Sequence, residues 1–159
     1  HETLKRGDFV EFSGPCGNCF YVSGTPEQPM LLIGTGSGLA PLYAIARDAL
    51  TRGHSGPIHL YHGSRSPDGL YLVDQLRELS VLYSNFHYTP CVSGACARQD
   101  GFSNGRAAEL ALAEHTQLAG WRLFLCGNPE MVASTRKRAF LAGCSMKDIH
   151  ADPFMTSKP

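Results

Sequence analysis

Met30-Leu31-Leu32-Ile33-Gly34-Thr35-Gly36-Ser37-Gly38-Leu39 joins three local signals in one run. The four apolar residues Met30 to Ile33 read as a strand buried on both faces. Gly34, Gly36 and Gly38 then let the backbone turn sharply and approach a ligand closely. From Leu39 to Arg52 the period becomes helical. Leu42, Ile45, Ala46 and Ala49 fall on one face, with Pro41 in the first turn. A helix N-terminus offers unpaired N–H groups and a partial positive charge, which suits a phosphate.

The spacing of the glycines narrows the choice only partly. After Gly34 and Gly36 the third fingerprint position is Leu39, so the standard dinucleotide pattern is incomplete. No Gly-Lys-Ser/Thr follows, so it is not a Walker loop. Gly36 stands where a hydrolase elbow has serine.

The same alternation continues downstream. Strands are expected at Ile58 to His62, Phe86 to Val92, Arg122 to Cys126 and Ile149 to Phe154. Helices are expected at Leu70 to Leu79, Gly105 to His115 and Glu130 to Ala142, the last stopped by Gly143. Strands alternating with helices at crossover lengths predict a doubly wound α/β domain. Its parallel five-stranded sheet has the expected order 3-2-1-4-5. In such sheets the ligand crevice lies at the carboxyl ends of the strands, where the order reverses. The fourth strand also breaks at a glycine and enters a helix, at Cys126-Gly127-Asn128-Pro129-Glu130-Met131. If strands one and four are neighbours, the two turns face each other across one cleft, and Cys126 faces it too.

The second strand ends in Gly63-Ser64-Arg65. An acid is expected here when NAD is the ligand, and an arginine when a 2′-phosphate must be accommodated. Ser64 and Arg65, with Asp68 slightly later, leave NADPH open. His59 and His62 are three apart on a strand, so they point to opposite faces and cannot share a metal. The histidines read as ordinary core or surface residues, and no metal site is expected.

The first 25 residues differ from the rest. Phe9 to Phe12 and Cys19 to Val22 read as short strands around the turn Ser13 to Asn18. Such a hairpin has no room for its own core, so it is expected to belong to a domain lying mostly outside this chain. The start at His1 agrees with that expectation. Ser23 to Pro29, with two prolines, reads as a linker. The expected division is residues 1–25, then a nucleotide-binding domain over 26–154, then a tail over 155–159.

Composition limits the remaining choices. A chain of 159 residues is one ordinary domain, or one domain plus a fragment. Fourteen basic and 14 acidic residues give zero formal charge, which argues against nucleic acid and an anionic membrane. No apolar run approaches the length of a membrane span, and no signal-peptide pattern opens the chain. Six cysteines (16, 19, 91, 96, 126 and 144) lie largely within apolar runs. They read as reduced packing thiols, which predicts a cytoplasmic location. Cys16-x-x-Cys19 has the spacing of half a zinc or redox site, with Cys91 and Cys96 as a conceivable other half. The CxxC does not recur, which favours packing.

Four motifs in order resemble the ferredoxin–NADP reductase family, in particular the flavin and nicotinamide modules of bacterial oxygenase reductases. They are Gly34-Thr-Gly-Ser-Gly-Leu-Ala-Pro-Leu42, His62-Gly63-Ser64-Arg65 with Leu70-Tyr71, Leu125-Cys126-Gly127-Asn128-Pro129-Glu130-Met131-Val132, and Gly7-Asp8-Phe9-Val10 with Gly14-Pro15-Cys16-Gly17. The last resembles the closing strands of the family's flavin-binding barrel. The resemblance implies hydride transfer from NADH or NADPH to FAD, with electrons passing on to a ferredoxin-like domain or an oxygenase component. It implies that Gly34, Thr35, Gly36, Ser37 and Gly38 line the pyrophosphate and nicotinamide. Ser64 and Arg65 then meet the adenosine ribose or its phosphate. Gly127, Asn128 and Met131 belong to the second turn, and Cys126 sits beside the nicotinamide C4. Asp152-Pro153-Phe154 resembles the family's acidic-x-aromatic ending, with Asp152 supporting transfer and Phe154 near the flavin. The family's Arg-x-Tyr-Ser flavin motif is absent, so the chain alone is expected to bind FAD weakly and to reduce no acceptor. Two other readings remain open. One is an S-adenosylmethionine-dependent methyltransferase, disfavoured because strand two ends without an acid. The other is a non-catalytic docking or regulatory module of the same fold.

Overall fold

Apolar runs flanked by glycine and proline become the strands of one parallel sheet. The computed structural model describes residues 5–11, 19–94 and 101–154. Its strands are β1 (Met30–Thr35), β2 (Ile58–Ser64), β3 (Phe86–Val92), β4 (Ser103–Asn104), β5 (Arg122–Gly127) and β6 (Ile149–Pro153). Its helices are α1 (Leu39–Thr51), α2 (Val73–Leu82), α3 (Ala107–Glu114) and α4 (Pro129–Leu141). The sheet order is β4-β3-β2-β1-β5-β6. The five expected strands occupy their expected order, and β4 adds a two-residue sixth outside β3. So short a strand leaves no periodic trace in the sequence. Its pairing continues where the Gly105 N–H donates to the Val92 carbonyl at 2.9 Å.

Alternation along the strands divides the core. Met30, Leu32, Leu60 and Phe124 point to one face and meet Leu42, Ile45, Ala46 and Ala49 of α1 and Leu76 of α2. Leu31, Ile33, Tyr61, Leu123 and Leu125 point to the other and meet α3 and α4. All of these are buried. Burial on both faces is why β1 is an unbroken apolar run.

Most bounds shift by one or two residues from expectation, and two of the differences have a plain local cause. Helix α2 starts at Val73 rather than Leu70, because Pro67–Gly69 forms a 3-10 turn and Leu72 takes a left-handed φ of 57°. Leu76 still supplies the buried contact of that helix. Helix α4 begins with Pro129 at its first position, capped by the Asn128 side chain, which accepts the Met131 N–H at 3.0 Å.

The expected N-terminal strands are not seen among the described residues. Residues 9–11 and 19–22 pair with no neighbour in the sheet, and Phe9 and Val10 are exposed. A strand needs an adjacent backbone to take its N–H and C=O groups, and the sheet offers none here. Residues 12–18, the expected turn, and the tail 155–159 lie outside the described residues. The expected linker is tied down instead. The buried Arg122 guanidinium donates to the Val22 carbonyl at 2.8 Å and to Thr25 Oγ1 at 3.2 Å. The Pro26 carbonyl accepts the N–H groups of Ser55 and Gly56, both at 2.9 Å. Among the described residues no helix is long and apolar enough to cross a membrane.

Candidate functional site

Strands β1 and β5 are neighbours, with Gly34 paired to Cys126, so both glycine turns emerge side by side at the carboxyl edge. They interlock. A Cβ on Gly38 would lie 2.3 Å from the Cys126 carbonyl oxygen, and one on Gly127 would lie 2.5 Å from the Thr35 carbonyl oxygen. Gly127 also has a φ of 114°, which only glycine adopts without strain. The Asn128 N–H donates to Thr35 Oγ1 at 3.0 Å and ties the second turn to the first. From α2's approach, the Tyr71 hydroxyl donates to the Ser37 carbonyl at 3.3 Å.

A cleft of about 690 Å³ opens beside these turns. Thr35, Gly36, Ser64, Arg65, Asn128 and Met131, six of the expected site residues, line it. Gly34 and Gly38 do not line it and are buried. A Cβ on Gly34 would sit 2.7 Å from Leu42 Cδ1, so this glycine admits α1 close to β1 rather than meeting a ligand. Ser37 is exposed and Gly127 buried, both beyond the lining.

The cleft also holds residues that sequence reasoning missed. Arg106, just before α3, and Arg138, late in α4, bring two further guanidinium groups to the same space as Arg65. Ser93 and Ser134 add hydroxyls, and Glu109 and Glu130 carboxylates. Gly105-Arg106 at a strand-to-helix junction was the available signal for the first arginine. Nothing local marks Arg138. Three cations and several hydroxyls at a glycine-lined helix entrance fit a phosphorylated ligand, and the volume is that of an ordinary cofactor cleft.

The remaining expected residues gather on the other side of the turns. Cys126 pairs with Asp152 in the β5–β6 register, and the Phe154 N–H donates to the Gly127 carbonyl at 2.8 Å. Asp152 and Phe154 are half-buried. Cys126 is fully buried and does not line the cleft. Strand alternation sends its side chain, like that of Phe124, to the α1 face. There its Sγ meets the Cys19 Sγ at 3.4 Å. The hydrogen bond to Cys19, burial and the charge of Asp152 all push the Cys126 thiol up, so it stays protonated. The same hydrogen bond lowers Cys19, against burial.

The cysteines at 19, 91, 126 and 144 are free. Cys91 packs on the α3 face and Cys19 on the α1 face, so these two cannot share a metal. Cys16 and Cys96 lie outside the described residues. His59 and His62 point to opposite faces as expected. His62 is buried beside Tyr71 and Tyr88, whereas His59 stacks on His87 and meets His115. The sequence hid this convergence, because three separate elements supply it.

Residues 32–137 match the family model described as the oxidoreductase NAD-binding domain. The chain is 38% identical over 154 residues to the ferredoxin–NAD(P)(+) reductase component of the naphthalene 1,2-dioxygenase/salicylate 5-hydroxylase systems of Ralstonia, covering 97% of this chain and 46% of that protein. It is 34% identical to the corresponding naphthalene dioxygenase component of Pseudomonas putida, covering 96% of this chain and 46% of the relative. Its structure superposes on an Amycolatopsis cytochrome P450 reductase with a TM-score of 0.86 and 33% identity, over 96% of this chain and 46% of that one. The chain thus spans about half the length of the relatives it matches. These relatives are reductases, and the methyltransferase reading has no counterpart among them. With its interlocked glycine turns, its parallel sheet and the family match over most of its length, the chain belongs to the oxidoreductase NAD-binding domain family, in the ferredoxin reductase form that its four motifs resemble.

Proposed function

We propose that this chain is the nicotinamide-nucleotide unit of a flavin reductase that serves an oxygenase system. In this reading residues 1–25 end an FAD-binding barrel, residues 26–154 form the nucleotide domain and residues 155–159 are a tail. The observation that carries it is the pair of interlocked turns, Thr35-Gly36 and Gly127-Asn128, at the mouth of a cleft containing Arg65, Arg106 and Arg138.

NAD(P)H would supply the hydride and FAD would accept it, so the protein's task is binding, orientation and electrostatics. Thr35 and Gly36 shape the pyrophosphate approach at the entrance to α1. Ser64 and Arg65 meet the adenosine ribose or its 2′-phosphate. Asn128 holds the second turn by capping α4 and binding Thr35 through its N–H. Met131 supplies an apolar wall. Gly38 and Gly127 keep the two turns at packing distance, Gly34 admits α1 close to β1, and Ser37 would meet the pyrophosphate from the first turn. Cys126, buried against Cys19 and held protonated, would act beneath the nicotinamide end of the site as a neutral packing group rather than as a nucleophile. Asp152, paired with Cys126 in the β5–β6 register, and Phe154, whose N–H donates to the Gly127 carbonyl, would face the flavin.

The names of the relatives support an iron–sulfur protein or oxygenase component as electron acceptor, and the four free thiols support a cytoplasmic setting. The test is anaerobic stopped-flow reduction of the full gene product's flavin by NADH and by NADPH. Calorimetric titration of the present chain with each nucleotide and with S-adenosylmethionine accompanies it. Bleaching of the flavin by at least one nucleotide is expected. No bleaching with either, or heat only with S-adenosylmethionine, overturns the reading.

A further inference from the structure

At the sheet edge opposite the cleft, three ligand-type side chains converge. His59 is the second residue of β2, on the face covered by α3. Glu114 ends α3 and His115 caps it. One imidazole nitrogen from each histidine and one carboxylate oxygen all lie within 4.8 Å of one another. In a tetrahedral zinc centre, bonds of about 2.0–2.1 Å place ligand atoms roughly 3.4 Å apart, so small side-chain rotations close the gap.

We propose that His59, Glu114 and His115 form a binding site for a divalent transition cation of the zinc type. Two imidazoles and one carboxylate are a donor set that suits zinc, cobalt or nickel and suits magnesium or calcium poorly. The helix adds to the attraction, because the last carbonyls of α3 concentrate partial negative charge where the cation would sit. The surroundings order the ligands. The Tyr61 hydroxyl donates to Glu114 Oε2 at 2.6 Å and lies 3.2 Å from His115 Nε2. Trp121 packs on both imidazoles, with ring centroids 4.8 Å from His115 and 5.8 Å from His59. His87 stacks on His59 at 4.6 Å from the neighbouring strand and walls off the other side. The bound ion would clamp the end of α3 to β2, remote from the nucleotide cleft.

The test is calorimetry and cobalt spectroscopy on the full chain after chelator treatment. Expected are one equivalent of zinc or cobalt per chain, a rise in unfolding temperature with zinc concentration, and a cobalt spectrum of nitrogen and oxygen ligation. His115→Ala and the milder Glu114→Gln should weaken binding at least tenfold, while the double variant Cys19→Ser/Cys126→Ser binds as before. Circular dichroism of each variant separates lost ligation from lost folding. The proposal is overturned by no binding at millimolar metal, by a thiolate charge-transfer band, or by folded His115→Ala and Glu114→Gln variants that bind like the parent.

Discussion

The Cys19 Sγ lies 3.4 Å from the Cys126 Sγ, joining the segment before β1 to the carboxyl end of β5. The two thiols are unequal. Cys126 is fully buried and pushed up, whereas Cys19 is half-buried and lowered because the Cys126 thiol hydrogen-bonds it. Cys91 and Cys144 are raised by burial to about 12 and about 11. Iodoacetamide at neutral pH should therefore modify Cys19 well before Cys91, Cys126 or Cys144, as followed by site-resolved mass spectrometry. Cys126→Ala removes the donor, so the pH midpoint of Cys19 alkylation should move upward. An unchanged midpoint would show that the pair does not share a proton in solution.

Gly36 and Gly38 should respond to the same small substitution to very different degrees. A Cβ on Gly36 meets nothing within 4 Å, though its φ of 53° is left-handed. Gly36→Ala should cost about 1–2 kcal/mol of stability and leave a folded protein. A Cβ on Gly38 meets β5 backbone at 2.3 Å, which no rotamer relieves. Gly38→Ala should separate the two turns, costing roughly 3 kcal/mol or more by overpacking and backbone shift, with nucleotide binding lost. Urea unfolding of the two variants checks the contrast.

Arg65 lines the cleft just after β2, the position at which an arginine would accommodate a ribose 2′-phosphate. A charge-assisted hydrogen bond contributes about 1.5–3 kcal/mol, roughly tenfold to a hundredfold in affinity. Arg65→Ala should therefore weaken NADPH by that factor and NADH by much less. Equal losses for both nucleotides would assign Arg65 to the shared pyrophosphate instead. Calorimetric dissociation constants at fixed ionic strength distinguish the two.

The parts of the fold readable from sequence were those fixed by local chemistry. Phe86 to Val92 is observed at its expected bounds because apolar strand residues end at turn residues on both sides. Helix α2 starts three residues later than its composition suggests, because the left-handed Leu72 leaves no compositional mark. In the site, the glycine turns were legible, since a backbone that turns tightly against another needs glycine. Arg106 and Arg138 were not, because α3 and α4 deliver them from separate stretches and only the packed helices bring them to one cleft. The burial of Cys126 could have been read from its shared face with Phe124, but its partner Cys19 could not, being 107 residues away.

His62 makes stability depend on pH. It is fully buried on the α1 face, with the Tyr71 ring 5.4 Å away and the Tyr88 hydroxyl 3.5 Å from its Nδ1. Burial pushes it down to about 4, whereas an unfolded histidine titrates near 6.5. Between those values the unfolded chain binds a proton that the folded chain refuses. Stability from this site is thus fully present above about pH 6.5 and is lost as pH falls toward 4. The ceiling is roughly 3 kcal/mol, from about 1.4 kcal/mol per pKa unit. His59 acts in the same direction but is half exposed, so solvent reduces its share. His62→Phe keeps the apolar packing and removes the titration, so its stability should fall less than the parent's between pH 7.5 and 4.5. Urea unfolding of both proteins at the two pH values measures the difference. Parallel losses would show that His62 is protonated in the folded state and that its burial is relieved in solution.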